Sequence, residues 1–330
     1  MITVVEFWIR GGDRRGRRRT AVAIACALVG GFGLAGGGRA QAAEAGDAAA
    51  PAVRFGFFRA MFRDVNENDI RASLKAYARA VALDRAIRAD PDPMLFDGAD
   101  DAAAALRAGG VDLISGSTPD VLRLPEGLLT GPYLLSLSGD AVGTEYQLLV
   151  RREAKHMRVA DLRGRSLVLV NSSSFSLAVP WLELLVSREA QADPGAFFGS
   201  VKVVNKASLA ALPVFFQQVD ACVVTRAGFA VLAELNPQLA RALRPIATSP
   251  RVVPILSCFR AGYDPAVKQR IAASMATLQD TAAGRQLLTI FQSGPIAPQD
   301  EDALVTTRRL FSDHAGLRAT GAGSLLTPAP

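Results

Sequence analysis

The chain has 330 residues, of which 50% are hydrophobic and 21% are charged. This length and composition predict one or two globular domains with a sizeable core and argue against intrinsic disorder. The formal net charge of +6 is concentrated at the N-terminus, because residues 1–42 hold seven of the 37 basic and two of the 31 acidic residues. The other 30 basic and 29 acidic residues leave a net charge of +1, which gives no support to nucleic-acid binding.

The first 42 residues have the three-part order of an export signal. Five arginines between positions 14 and 19 precede the apolar run TAVAIACALV, and a glycine-rich stretch and the small-residue site Ala40-Gln41-Ala42 follow. We predict that residues 1–42 are a signal peptide cleaved near Ala42 and that the mature protein is periplasmic. The paired arginines leave general secretion and a twin-arginine route both open. A membrane anchor is disfavoured, because glycines interrupt an apolar run shorter than the roughly 20 residues that span a bilayer.

Strand and helix patterns alternate along the mature chain. A strand at 53–57 precedes a helix that begins behind residues 66–69. Further strands are predicted at 111–114, 145–150, 166–170, 201–204, 219–224 and 252–259. Helices are predicted at 100–108, 177–190, 208–218, 281–292 and 300–311, with another beginning at Asp264-Pro265, where an N-cap residue precedes proline. This alternation predicts an α/β fold.

The segment NSSSFS, residues 171–176, joins the strand at 166–170 to a helix whose first turn contains Pro180. Proline is tolerated in a first turn but not in a helix interior, so we expect this helix to begin near Ser176. Between a strand end and a helix N-terminus, outward N–H groups favour negative charge. The hydroxyl groups make the segment a candidate anion-binding turn, formed by Asn171, Ser172, Ser173, Ser174 and Ser176. A solvated turn in which one serine caps the helix is the alternative.

Catalytic and metal-binding patterns are absent from the sequence. The two histidines, His156 and His314, lie in no motif, and there is no nucleophile elbow, glycine-rich nucleotide loop or metal-ligand spacing. We therefore predict no enzyme activity, no cofactor and no metal. Two cysteines remain after cleavage, Cys222 and Cys258, which either pair or stay as buried thiols.

Five segments follow one another in an order that is typical of a known family: VRFGFF, LRAGGVDLISGSTPDVL, DLRGRSLVLVNSSSFS, QQVDACVVTRAGF and SPRVVPILSCFRAGYDP. Over residues 52–292 the chain resembles the periplasmic solute-binding proteins of phosphate, phosphite and phosphonate ABC transporters. The resemblance implies a bilobal type II periplasmic-binding fold, with two α/β lobes joined by two crossing hinge segments near 141–147 and 249–258. The implied organisation is lobe 1 at 52–142 and 259–314 and lobe 2 at 143–258. The composition of the C-terminal residues, which offer too little to bury, separately predicts a disordered tail at 315–330.

The resemblance also implies a ligand site. In the family, the hydroxyl-rich turn after the DLRGR-type strand start holds phosphonate or phosphate oxygens, and the turn at 171–176 matches it. The sequence departs from the family at 115–121, where phosphonate binders carry aromatic residues, at Lys206 in place of a common histidine, and at Thr225-Arg226 in place of an acidic residue. The further candidate contacts are Ser117, Thr118, Lys206, Thr225, Arg226 and Arg59. Solvated surface charge is the alternative for the three basic residues, and Asp112 and Asp220 at strand starts are expected to be structural.

These patterns predict an exported, monomeric solute-binding protein. It would capture a small anionic ligand, a phosphonate- or phosphate-like group or another oxyanion, between its lobes and deliver it to an ABC transporter permease. One alternative is a periplasmic sensor or accessory binding protein that is not coupled to transport. An exported enzyme on the same fold is the other.

Overall fold

The computed structural model describes residues 52–62, 66–83, 87–170, 172–290 and 293–326. The predicted export signal lies outside these residues, as do Asn171 and the last four residues of the predicted tail. Among the helices of the described residues, none combines the length and the apolar character needed to cross a membrane.

The first sheet is built from both ends of the described chain. Its strands are β1 (Phe55–Phe58), β2 (Met94–Phe96), β3 (Leu113–Ser117), β4 (Leu129–Ser138), β5 (Ala141–Val142), β11 (Ile255–Arg260) and β12 (Ile296–Gln299). They are ordered β12-β4-β11-β3-β1-β2, with β5 beside β4. Helices accompany this sheet at α1 (Glu67–Leu83), α2 (Ala99–Arg107), α3 (Thr118–Val121), α8 (Pro265–Ala276) and α9 (Ala282–Ile290). We call this sheet and these helices lobe 1.

The second sheet uses the middle of the chain. Its strands are β6 (Tyr146–Arg151), β7 (Ser166–Val170), β8 (Ser200–Val204), β9 (Ala221–Thr225) and β10 (Leu243–Thr248), in the order β10-β6-β9-β7-β8. Strand β7 is parallel to both β8 and β9, so the carboxyl ends of these three strands share one edge. The helices of this part are α4 (Ala178–Glu189), α5 (Ala207–Phe215), α6 (Arg226–Leu235) and α7 (Pro237–Ala242). We call this part lobe 2.

The core of lobe 1 has two sides because successive strand residues point to opposite faces of a sheet. Phe57 and Leu113 belong to one hydrophobic cluster, while their chain neighbours Phe58 and Ile114 belong to another. Burial on both faces explains why β1 is an apolar run with no polar alternation. Lobe 2 has one large cluster, which includes the fully buried Tyr146.

The chain crosses between the sheets twice, at 143–145 and at 249–254. The two crossings meet where Thr144 and Val252 form an isolated antiparallel bridge. Gly143 has a φ of +78°, and an added Cβ would lie 2.3 Å from the carbonyl oxygen of Val252, so only glycine fits this close approach. The second crossing ends earlier than the predicted lobe boundary after residue 258, because β11 already pairs with β3 and β4 from Ile255 and Leu256 onward.

The C-terminal part of the chain departs from the prediction of a disordered tail from residue 315. Helix α10 (Val305–Ala319) continues the chain and packs against α4 of lobe 2. Leu310 and Leu325 both join the hydrophobic cluster of lobe 2. The prediction is therefore wrong for residues 315–326, and the helix within 305–314 lies on lobe 2 as well as on lobe 1. The physical reason is that Leu310 on α10 and Leu325 after it are buried in the same hydrophobic cluster as the apolar side chains of α4.

Four single residues in or just before strands were predicted to be structural or to be cysteines that pair or stay buried. Asp112 and Asp220 bind backbone and side-chain groups of neighbouring strands, as a structural role requires. Cys222 and Cys258 are unpaired thiols buried in different lobes. Burial raises the pKa of both thiols, that of Cys258 to about 12, so they are held in the protonated form.

Candidate functional site

A cleft of about 760 Å³ lies between the two lobes and is lined by both of them and by both crossings. We call it the interlobe cleft. The lobe 2 wall consists of the ends of β7, β8 and β9 and the residues that follow them. Because these strands are parallel, their carboxyl ends bring together side chains that are far apart in the sequence. The polar side chains on this wall are Ser172, Ser173, Ser174, Asn205, Lys206 and Thr225.

The serine turn, residues 172–176, packs on aromatic rings of the lobe 2 hydrophobic cluster. The Tyr146 hydroxyl donates a hydrogen bond of 2.7 Å to the carbonyl oxygen of Ser174. The Tyr146 ring lies 6.2 Å from that of Trp181, centroid to centroid, and 5.6 Å from that of Phe175. Burial raises the pKa of Tyr146, so its hydroxyl remains a donor to the turn. This support fixes the turn while its first three serines face the cleft.

The hydroxyl groups of this turn are not helix caps. The residue at the N-cap of α4 is Leu177, and α4 begins at Ala178, two residues later than predicted. Ser172 heads a short 3-10 helix over Ser173–Phe175 but makes no capping hydrogen bond with its side chain. Instead, the Ser172 and Ser174 oxygens lie 2.9 Å apart within hydrogen-bonding distance. The alternative of a serine that caps the helix therefore does not describe this turn.

Ser176 differs from the other serines of the turn. Its hydroxyl donates to the carbonyl oxygen of Pro254 at 2.7 Å, which ties lobe 2 to the second crossing. It is not among the residues that line the interlobe cleft, and it lines a smaller cleft of about 250 Å³ together with Ser172 and Ser173 and with Ser117 and Asp120 of lobe 1. The contact of Ser176 is thus structural, although it belongs to the predicted set.

Lys206 and Thr225 come from the other two strands of the shared edge. Lys206 follows β8 at the start of α5, is exposed, and is the one charged side chain among the described residues that line the interlobe cleft. Thr225 ends β9, and its hydroxyl accepts a hydrogen bond of 3.0 Å from the N–H of Gly228. This part of the site therefore offers a cationic group beside several hydroxyls, which suits an oxyanion.

Besides Ser176, four predicted contacts do not line the interlobe cleft. Ser117 is the N-cap of α3 and also bonds to the carboxylate of Asp120 at 2.5 Å. Thr118 is fully buried and donates to the carbonyl oxygen of Val253. Because each hydroxyl is engaged within lobe 1 or at the crossing, neither is part of the cleft wall.

The two predicted arginines are held by carboxylates outside the cleft. The Arg226 guanidinium lies 3.3 Å from the Glu145 carboxylate, and its side chain is 64% exposed. The Arg59 guanidinium binds Asp97 at 2.8 Å and approaches Glu67 at 3.5 Å. Both charges are paired on the surface, which agrees with the alternative of solvated charge.

Sequence patterns did not reveal the lobe 1 wall. Ser115 and Ser257 are directly opposite each other on β3 and β11, and their hydroxyl oxygens are 2.6 Å apart. Ser136 on β4 accepts hydrogen bonds from the Gly294 N–H at 3.0 Å and from the Ser293 hydroxyl at 3.1 Å. The signal that could have identified Ser115 is its place at the end of an apolar strand, the same signal that identified the serine turn.

The described residues contain no cluster of histidine, cysteine and acidic side chains that could hold a metal ion.

With two lobes around a hydroxyl-lined cleft and two chain crossings beneath it, the fold and the site define a bilobal binding protein of the type II periplasmic-binding class. The chain belongs to the family described as "ABC transporter, phosphonate, periplasmic substrate-binding protein", whose sequence model matches residues 80–304.

Solved structures agree with this fold. The Xanthomonas citri protein XAC2383 bound to chloride ion is similar with a TM-score of 0.55 and 18% identity, over 81% of this chain and 99% of that one. A binding protein component of an ABC phosphonate transporter from Pseudomonas aeruginosa has a TM-score of 0.51 and 16% identity, over 82% and 88% of the two chains. PhnD1 from Prochlorococcus marinus, in complex with methylphosphonate, has a TM-score of 0.51 and 11% identity, over 79% and 97%. A search of curated proteins finds no match.

Proposed function

We propose that the protein is an exported binding protein that captures a small oxyanion in the interlobe cleft and delivers it to an ABC transporter permease. The observation that carries the proposal is the convergence of the serine turn, Lys206 and Thr225 at the edge where three parallel strands end. Ser172, Ser173 and Ser174 are the proposed hydrogen-bond donors to the anion, and Lys206 supplies charge. Membership of a family of periplasmic substrate-binding proteins supports the location and the transport role. Cleavage near Ala42 remains part of the proposal.

Removing one hydroxyl of the turn tests the proposed site. A hydrogen bond to a charged group contributes about 1.5–3 kcal/mol, so Ser173→Ala is expected to weaken binding of an oxyanion roughly ten- to a hundredfold. Isothermal titration of the mature protein with phosphate, phosphite and methylphosphonate measures the affinity. Lys206→Ala should also weaken binding, by an amount that falls as salt is added, because Lys206 is exposed.

Ser176→Ala is the matched control for this experiment. It also removes one serine hydroxyl from the turn, but the Ser176 hydroxyl donates to the carbonyl oxygen of Pro254 and does not line the interlobe cleft. We expect Ser176→Ala to lower the free energy of unfolding by about 1 kcal/mol and to leave the affinity unchanged. Equal losses of affinity in Ser173→Ala and Ser176→Ala would contradict the proposed site.

Binding is expected to close the lobes. In the described part of the chain two crossings connect the two sheets, and the segment from β12 to α10 links the lobes a third time; we expect the lobes to rotate about these links as rigid bodies. Small-angle X-ray scattering should show a smaller radius of gyration when an oxyanion identified by titration saturates the protein. An unchanged radius at saturation would argue against a closing clamp.

A further inference from the structure

The interlobe cleft continues from the serine turn into a hydrophobic cluster of lobe 1. Seven apolar side chains that line the cleft belong to that cluster or pack against it: Phe57, Met61, Phe62, Leu134, Leu278, Leu288 and Ile296. They come from β1, β4, β12, α9 and two 3-10 helices. The rings of Phe57 and Phe62 meet edge to face, with centroids 6.2 Å apart. We call these seven side chains the apolar wall.

The apolar wall offers no hydrogen-bond donor to an oxyanion. Burial of an ionised group against apolar carbon is costly unless polar partners satisfy it. Each hydroxyl pair of lobe 1, Ser115 with Ser257 at 2.6 Å and Ser136 with Ser293 at 3.1 Å, uses one donor, and Lys206, the one charged side chain among the described residues that line the cleft, lies on lobe 2. Binding the anion at lobe 2 therefore leaves an apolar surface opposite it, which an apolar group of the same ligand would cover.

The size and charge of the cleft agree with such a ligand. A volume of about 760 Å³ lies in the range of roughly 300–1,000 Å³ found for pockets that hold organic molecules, and it exceeds what an isolated oxyanion fills. No aspartate or glutamate stands among the cleft-lining residues within the described part of the chain. An ammonium group on the ligand would have no carboxylate partner there.

We propose that the ligand is an organic oxyanion, with a phosphonate-type head at the serine turn and an uncharged apolar substituent of several carbons against the apolar wall. The inference rests on the proposed function, since it takes the serine turn as the site of the head. It narrows the substrate class to alkyl or aryl oxyanions and places aminoalkyl phosphonates among the poor ligands.

A series of phosphonates that share one head and differ in substituent tests the inference. Each methylene that becomes buried is worth about fourfold in affinity, so the dissociation constant should fall stepwise from methyl- to propyl- to hexylphosphonate. Propylphosphonate and 2-aminoethylphosphonate are nearly equal in size, and we expect the first to bind at least tenfold more tightly, because an ammonium buried without a partner is unfavourable. Isothermal titration of the mature protein supplies the constants.

Two variants locate the substituent. Phe62→Ala should weaken hexylphosphonate about tenfold and leave methylphosphonate unchanged, because a short substituent does not reach the wall. Ile296→Ala makes a smaller change at the same wall and replaces Phe62→Ala if that variant melts early. Val305→Ala, at an exposed position outside the cleft, is the control. Ser173→Ala should weaken the binding of every phosphonate in the series by the same factor. Nonspecific adsorption of the alkyl chain would not depend on Ser173, so this variant separates the two.

The outcomes distinguish this inference from the proposed function. If phosphate or methylphosphonate binds as tightly as hexylphosphonate and the two wall variants change nothing, the apolar substituent is refuted while the proposed function stands. Tighter binding of 2-aminoethylphosphonate than of propylphosphonate also refutes the inference alone. If no member binds at millimolar concentration, both proposals fail.

Discussion

Replacing Asp112 with asparagine is expected to lower the free energy of unfolding by about 3 kcal/mol. The carboxylate is 2% exposed and binds the Arg54 guanidinium at 2.8 and 2.9 Å and the Arg260 guanidinium at 3.2 Å. It also accepts the backbone N–H of Arg54 at 3.1 Å. Removing one partner of a buried pair costs about 3–5 kcal/mol, and the lower end applies because both arginines reach solvent. Urea denaturation at neutral pH measures the loss.

Asp220 is the matched control in lobe 2. It also opens a strand after a helix, and it accepts the N–H of Ser166 at 2.9 Å and the Ser166 hydroxyl at 2.7 Å. Its side chain is 31% exposed, lies 3.6 Å from the His156 ring nitrogen Nε2 and has no arginine partner within salt-bridge distance among the described residues, so Asp220→Asn should cost about 1–2 kcal/mol. A loss from Asp112→Asn no larger than that from Asp220→Asn would contradict the account of the buried pair. Neither variant should change oxyanion affinity, because neither side chain lines the cleft.

The strands that are buried on both faces were the easiest elements to predict. Runs such as β7 and β9 are continuously apolar, and their patterns mark the strands to within two residues. Strand β4 was missed because it contains Gly131, Pro132 and two serines, which disfavour a strand locally. Its pairing with β11 and β12 overrides that preference. Tertiary pairing of this kind leaves no pattern within the segment itself.

The sequence indicated the candidate site only where the residues that line the cleft are contiguous. Ser172 to Ser174 form one run at the end of a strand, so the strand and the turn together indicate a polar edge. The opposing pair Ser115 and Ser257 is separated by 142 residues and has no shared local signal. Arg226 was predicted to contact the ligand because its partner, Glu145, lies 81 residues earlier in the chain and no local pattern indicates the pair. Which charges are paired depends on the fold and could not be read from spacing.

The second large effect concerns Glu183 on α4, which holds the C-terminal segment that was predicted to be disordered. Its carboxylate is 1% exposed and binds three donors: the His314 ring nitrogen Nε2 at 2.6 Å, the Ser324 hydroxyl at 2.9 Å and the Leu325 N–H at 2.8 Å. Glu183→Gln keeps the shape but removes the charge from these hydrogen bonds. We expect a loss of about 1.5–3 kcal/mol at neutral pH. Amide hydrogen exchange should show faster exchange at Leu325 in the variant.

The pH dependence of this difference follows from the Glu183 carboxyl. Burial opposes its ionisation, but the hydrogen bonds from His314, Leu325 and Ser324 outweigh burial and hold its pKa below the ordinary value of 4.5. Because the folded-state pKa is the lower one, the stabilisation is present above about pH 4.5 and is lost as the pH falls through the folded-state pKa. The wild-type protein should therefore approach Glu183→Gln in stability as the pH is lowered from 7 toward 3. A gap between the two unfolding free energies that stays constant over that range would show that the ionised carboxylate is not what holds the C-terminal segment.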